Sequence, residues 1–427
     1  MGILIRDALA VLPDGKASRT SIYIQGDSVV SVGQEPEGFV CDRVIPAEDK
    51  LVLPGFVNAH THAYMTPFRN WADDLDFNTW LFERIMPAED RMASDDAYWG
   101  AMLSCMEMIK GGTTCFLDMH MFPHSSVMAA QDSGMRAVIS RGLSGGEDDP
   151  VGGERRLREA IAEYEACSGF PTIGFMLAPH APYSCDEGYL RDIKAVADDY
   201  DLGIHTHLSE SAGEVSNCRE KYGVTPIGLF DRCGLITSRT VAAHCVHLTD
   251  EDIALIASRG MSVAVNTASN LKLANGVARV PEMQKAGINL CLGTDGASSN
   301  NALSVLREMQ LITLIHKGVR GGALAVTAHD AFDMATKNGA RALGINAGEI
   351  AAGKKADLAM FSLNDPALTP LGDPVAALSY SAYGVSADTV IINGEVVLDG
   401  GRFTKFDSER VLHEVRQSVR TLGLSEE

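Results

Sequence analysis

Hydrophobic and polar positions follow two different rhythms along the 427-residue chain. Near its beginning, ILIRDALAVLP and SIYIQGDSVVSVG are short apolar runs broken at Pro-Asp-Gly and Gly-Asp. That pattern predicts strands joined by tight reversals. The same texture returns in KADLAMFSL and TVIINGEVVLDGGRF, where an Asn-Gly step predicts a hairpin. The two distant segments together predict one small β-sandwich domain, discontinuous over residues 1–53 and 350–405, with 406–427 forming a helix or a tail.

Between them the rhythm changes. LPGFVNAH, TTCFLDM, RAVISRG, TIGFMLA, LGIHTHL, TVAAHCV, MSVAVNT and INLCLGTD are nearly continuous apolar runs. Longer amphipathic stretches such as DAYWGAMLSCMEMIKGG and GERRLREAIAEYEAC separate them. Strands buried on both faces and covered by helices predict a parallel sheet. Eight such units over about 290 residues fit a closed (β/α)8 TIM-like barrel, assigned to residues 54–349, better than an open doubly wound sheet. No glycine-rich phosphate fingerprint follows the first of these strands, which argues against a dinucleotide fold. The seventeen methionines, as in MLSCMEMI, read as core filler at helical spacing.

Charge narrows the partners. Fifty-six acidic residues against 36 basic ones give a formal net charge of -20, which disfavours a nucleic-acid backbone or an anionic membrane as partner. No window approaches the roughly 18 consecutive apolar residues of a membrane span. Nine cysteines without a CxxC pair, and a beginning without a basic segment followed by a long apolar stretch, lead us to expect a reducing cytoplasm.

A barrel of this kind gathers its chemistry at the C-terminal ends of its strands. The first predicted strand ends in His60 and His62, which alternation puts on one face. The fifth ends in His207, with Glu210 three residues later; the sixth reaches His244; the eighth ends in Thr294 and Asp295. Taken singly these residues have ordinary readings. Paired histidines in a loop are commonly solvated, an aspartate after a strand commonly caps the next helix, and Glu210 alone would be a charge at a helix N-terminus. Their coincidence on one rim predicts a divalent metal site. His205 is in step with His207 one layer deeper and is expected to be a packed barrel residue. His120 and His124 follow the second strand and are candidates to flank a pocket. His316, His329 and His413 are read as core or surface histidines.

PGFVNAHTH, HLSE with its downstream AAHC, LGTDG and the late GKKADL resemble the amidohydrolase superfamily, whose members join such a barrel to a small β domain built from both chain ends. Within it, HTHAYMTPFRNWADDLDFNTWL, PAEDR, AAHCVHL, NLKLANG and GTDGASSNN are similar to the S-adenosylhomocysteine/5'-methylthioadenosine deaminases. The resemblance implies that His60, His62, His207 and Asp295 hold one divalent ion per subunit, zinc first among the first-row metals. Related binuclear enzymes carry a carboxylated lysine or a glutamate at the fourth strand end, where this chain reads LAPHAPYS, so a single ion is expected.

The implied reaction is hydrolytic deamination of an adenosine derivative. Its candidates are S-adenosylhomocysteine, 5'-methylthioadenosine, 5'-deoxyadenosine and adenosine. Glu210 would protonate the ring nitrogen, His244 would orient the attacking oxygen and take its proton, and Asp295 would carry a proton to the departing ammonia. Glu89 would hold the ribose hydroxyls through its two oxygens. Arg141, His180 and Trp80 would line the pocket. Arg155 or Arg156, on what is also an ordinary helix face, would meet a homocysteine carboxylate, from a neighbouring subunit of a homo-oligomer. Alternatives on the same scaffold are a deaminase of guanine, 8-oxoguanine or a pterin, a triazine chlorohydrolase, and a catalytically silent scaffold protein. Two departures from the family pattern touch the pocket region: Val265-Asn266-Thr267 where His-Asn-Pro is frequent, and Tyr64 where proline is frequent.

Overall fold

A computed structural model describes residues 1–320 and 322–424. All eight apolar runs of the middle region form parallel strands in the order of the chain, beginning with Phe56–Thr61 and Thr113–His120 and ending with Ser262–Val265 and Asn289–Leu292. Every residue of the first two is buried, as expected for strands walled by helices on one side and barrel interior on the other. The outer helices present single apolar stripes. In Glu187–Asp199, Tyr189, Leu190, Ile193 and Ala197 are buried, and Asp186 caps the first turn by accepting from the Tyr189 amide at 2.8 Å. Met102 and Met108 fill the core beneath Ser94–Lys110, as their spacing predicts.

The barrel closes between its first and eighth strands. The amides of Thr294 and Asp295 both donate to the His60 carbonyl, at 3.1 and 3.0 Å, and the Asn58 and Thr294 side chains meet at 2.7 Å. Gly293 is required at this seam, since a Cβ there would lie 2.2 Å from the Asn266 amide oxygen and 2.8 Å from the His60 Cβ.

The β segments from both ends combine into one mixed sheet of nine strands, in which Lys50–Pro54 pairs antiparallel with Leu358–Ser362. LPGF therefore divides between the two sheets, with Gly55 at the crossing, where a side chain would collide with Thr114 at 2.2 Å. The Asn-Gly hairpin is present, with φ of 52° at Asn393 and 75° at Gly394, the left-handed pair that a two-residue turn of this hand needs. One buried ion pair ties this sheet to the barrel. Arg136, opening the third barrel strand, donates to both oxygens of Asp357 at 2.7 and 3.2 Å and to the Asn393 side chain at 3.0 Å.

Ser408–Thr421 is a helix, and Arg410 lies over the Trp99 ring at 5.1 Å. Residues 425–427 of the expected tail lie outside the described residues. No described helix is long and apolar enough to cross a membrane.

Candidate active site

Hydrogen bonds behind the barrel mouth fix the tautomers of its histidines. The Ser140 hydroxyl donates to the Asp118 carbonyl at 2.6 Å, so its oxygen receives the Nδ1–H of His205 at 2.9 Å. The Nε2 of His205 then accepts from the Nδ1–H of His60 at 2.8 Å, which leaves a lone pair on His60 Nε2. His205 is thus the packed, bonded residue expected from its register. His62 and His207 reach the same state more directly, their Nδ1–H groups donating to the carbonyls of Met119 at 2.9 Å and His180 at 2.8 Å.

Two of these lone pairs, on His60 and His62, face the Asp295 carboxylate, and that of His207 lies beside His62; His60 and His207 also form a group with His244. His62 Nε2 lies 3.3 Å from His207 Nε2, and Asp295 Oδ1 lies 3.5 Å from His60 Nε2 and 3.4 Å from His62 Nε2. The His60 ring is 0 % exposed, and its Nε2 has no hydrogen-bond partner. Burial pushes His60 down to about 4 and His207 well below the usual imidazole range, which keeps both rings neutral. Asp295 is buried, which opposes its charge, yet its pKa stands well below the carboxylate range. Ser269 and Ser299 donate to its other oxygen at 2.6 and 2.8 Å. Neutral imidazoles with a fixed carboxylate form a donor set suited to a zinc-like cation, and the orphaned Nε2 is the atom such an ion would satisfy.

His244 and Glu210 stand beside this cluster. His244 uses Nδ1 on the Asn270 side-chain oxygen at 2.8 Å and turns Nε2 toward Glu210 Oε2, 3.8 Å away. Glu210 accepts from the Asn275 amide at 2.9 Å, and burial raises its pKa above the ordinary carboxylate value. Strand ends reach these positions through left-handed backbone, with φ of 52° at Ser209, 70° at His244 and 63° at Asp295. The first of these turns is held by Glu214, whose oxygens accept the amides of Ser209 and Glu210 at 2.8 and 2.9 Å. In sequence Glu214 resembles only an acid in the first turn of the helix capped by Ser211, which it also is.

A cavity of about 320 Å³ opens above the cluster, with His62, Trp80, Glu89, His180, Glu210, His244 and Asp295 on its walls. Its outer wall is the segment Thr79–Ile85, wound as a wide π-turn, followed by Met86–Glu89. Tyr64 and His120 also line it. The Tyr64 hydroxyl donates to Glu89 Oε1, which leaves Oε2 and the second lone pair of Oε1 able to accept from a ligand. His180 bonds Ser184 through Nδ1 at 2.9 Å, and its ring centre is 4.9 Å from that of His207.

The arginines lie elsewhere. Arg141 turns away from the cavity and donates to Glu159 at 2.6 and 3.0 Å, because alternation along the third strand gives its neighbour Gly142 to the cavity instead. Arg155 faces the same Glu159 at 3.8 Å, and Arg156 is engaged with Asp149 at 2.8 Å and the Ser144 carbonyl at 2.9 Å. Val265 and Thr267 are buried but do not line the cavity, and exposed His124 faces Glu163 at 3.1 Å outside it.

The chain is similar to known proteins along its length. A 5-methylthioadenosine/S-adenosylhomocysteine deaminase of Caldanaerobacter subterraneus subsp. tengcongensis is 42% identical over 428 residues, covering 99% of both chains. A 5'-deoxyadenosine deaminase of Methanothermobacter thermautotrophicus is 42% identical over 405 residues, covering 94% of each. The crystal structure of an adenosine deaminase from Xanthomonas campestris with bound zinc superposes with a TM-score of 0.94 at 30% identity, over 99% of both chains. The family model for amidohydrolases matches residues 51–397, from the strand before the paired histidines to the last hairpin. On that match and on the full-length identities, the chain belongs to the amidohydrolase family.

Proposed function

We propose that the protein is a zinc-dependent deaminase that converts an adenosine derivative to its inosine analogue and ammonia. S-adenosylhomocysteine, 5'-methylthioadenosine, 5'-deoxyadenosine and adenosine are its candidate substrates. The observation that carries this reading is the placing of Glu210 and His244 beside the His60, His62, His207 and Asp295 cluster, in one cavity with Glu89. His60, His62, His207 and Asp295 would hold the zinc ion, which would supply a hydroxide nucleophile near neutral pH by lowering the pKa of water from 15.7 to about 7.

The chain's own groups supply the proton movements. Burial raises the pKa of Glu210, and the Asn275 bond to Oε1 orients the carboxyl toward a role as the acid that protonates the purine ring nitrogen. His244, whose Asn270 bond leaves Nε2 facing Glu210, orients the attacking oxygen and accepts its proton. Asp295, fixed by two serine hydroxyls, relays to the leaving ammonia the proton that His244 takes from the attacking oxygen. Glu89 accepts from a ribose hydroxyl through its remaining lone pairs, a role that favours a nucleoside over guanine, 8-oxoguanine, a pterin or a triazine. His180 and Trp80 complete the pocket walls.

An ammonia-release screen of the zinc-loaded protein across adenosine, its 5'-substituted thioethers, guanine, 8-oxoguanine and a chlorotriazine tests the assignment. Turnover confined to the nucleosides supports it, and comparable turnover of a free base overturns it. A pH profile tests the sugar contact separately. Part of Glu89 opens to the cavity, yet desolvation by the surrounding protein pushes it up to about 7. A hydroxyl donor favours the ionised form, so KM is expected to rise as pH falls through about 7, with a smaller effect on kcat. A flat KM between pH 6 and 8, in a Glu89→Gln comparison that also shows no change, would remove Glu89 from the sugar.

We also assign the protein to a reducing cytoplasm as a homo-oligomer, without nucleic-acid partners. All nine cysteines are unpaired and eight are buried, and Phe82 and Met86 leave apolar surface exposed beside the pocket.

A further inference from the structure

His120 ends the second barrel strand, is 1 % exposed and lines the cavity. Its Nδ1 accepts the Phe122 amide at 2.7 Å, and a ring nitrogen that accepts cannot carry the hydrogen of a neutral imidazole. The proton therefore sits on Nε2, and that buried donor has no partner. An unpaired buried donor is destabilising by more than a made bond typically contributes, so such a group points to an acceptor that arrives with a ligand.

The neighbours of His120 indicate which part of the ligand that is. The Tyr64 ring packs on the His120 ring with centres 4.2 Å apart, and the Tyr64 hydroxyl is bonded to Glu89 Oε1. His120, Tyr64 and Glu89 thus form one continuous wall carrying an unused donor and an unused carboxylate oxygen. A hydroxyl group both gives and receives a hydrogen bond, and it alone among the groups of a nucleoside's sugar satisfies both at once.

We infer that His120 is a substrate-binding residue whose Nε2–H donates to the sugar hydroxyl from which Glu89 accepts, making the pocket selective for ribose over deoxyribose. The inference rests on the nucleoside deaminase reading. A site built around a substrate hydroxyl rejects the analogue lacking it, because both protein groups are then left unpaired.

The test measures kcat/KM for the unaltered protein, His120→Phe and His120→Gln on 5'-methylthioadenosine and on its 2'-deoxy and 3'-deoxy analogues. The unaltered protein is expected to disfavour one of the deoxy analogues by at least about tenfold, the size of one lost hydrogen bond. His120→Phe, which keeps an aromatic ring against Tyr64 but has no donor, should lose about tenfold on the ribonucleoside and no more than about twofold on that analogue. His120→Gln, which restores an amide donor, should recover part of the loss. Equal loss on all three substrates, or no deoxy discrimination by the unaltered protein, overturns the inference, and the second outcome needs no variant to fold. Failure of the nucleoside deaminase reading looks different, because then a free base is turned over as well as the nucleosides or in place of them.

Discussion

Glu210→Gln is expected to lower turnover by about 10²–10⁴-fold, the range of a lost general acid or base, while leaving the metal content of the purified protein unchanged. The two readouts separate because Glu210 stands outside the four-residue cluster, bonded to Asn275 at 2.9 Å and 3.8 Å from His244. A glutamine side-chain oxygen can still accept from Asn275, so the shape of the wall survives. What the amide lacks is an acidic proton to give the ring nitrogen. Metal content by elemental analysis and kcat on a common nucleoside read the two effects. Unchanged turnover would take Glu210 out of the proton path, and loss of metal would make it a structural support of the cluster.

Asp357→Ala is expected to destabilise the fold by about 3–5 kcal/mol, the usual consequence of stripping a buried cation of its partner. The Arg136 side chain is 6 % exposed and that of Asp357 1 %, and Asp357 also accepts from the Asn393 amide at 2.7 Å. Replacing both members by apolar residues, Arg136→Met with Asp357→Leu, should recover much of the loss, because no charge is then left buried. Denaturant midpoints of the two proteins provide the comparison. A loss below about 1 kcal/mol for Asp357→Ala would mean that the ion pair is dispensable for joining the sheet to the barrel. Arg136 opens its strand, at the far end from the mouth, so kcat of the folded fraction should not change.

Glu210 and Asp357 also illustrate what the chain's pattern can and cannot convey. Burial on both faces writes each barrel strand as an unbroken apolar run, and its end is then marked by the first residue able to do chemistry. His60, His62, His207, His244 and Asp295 were legible for that reason. Continuous apolar runs conceal which residue faces which side, and Arg141 fell on the wrong face by a single position, with Gly142 taking its place in the cavity. Helix charges were equally ambiguous. Arg155 and Arg156 satisfy neighbouring carboxylates, as an ordinary helix face would. Tyr64 was visible as a departure, but its target 25 residues away depends on the wide turn of Thr79–Ile85, which no local pattern announces. Ser269, Ser299 and Glu214 serve the site through single hydrogen bonds, and their residue types are too common to stand out.

The seam of the barrel bears on when the protein becomes active as it folds. Asn58 and Thr294 are 236 residues apart, yet their contact and the two bonds to the His60 carbonyl bring His60 and His62 against Asp295. Contacts of such long range form late, since the intervening chain must be ordered before they can be made. A chain with seven strands in place would already hold the three histidines and Glu210 but not the carboxylate. Activity should consequently lag behind the recovery of helical signal in refolding, appearing only with the step that brings the first and eighth strands together.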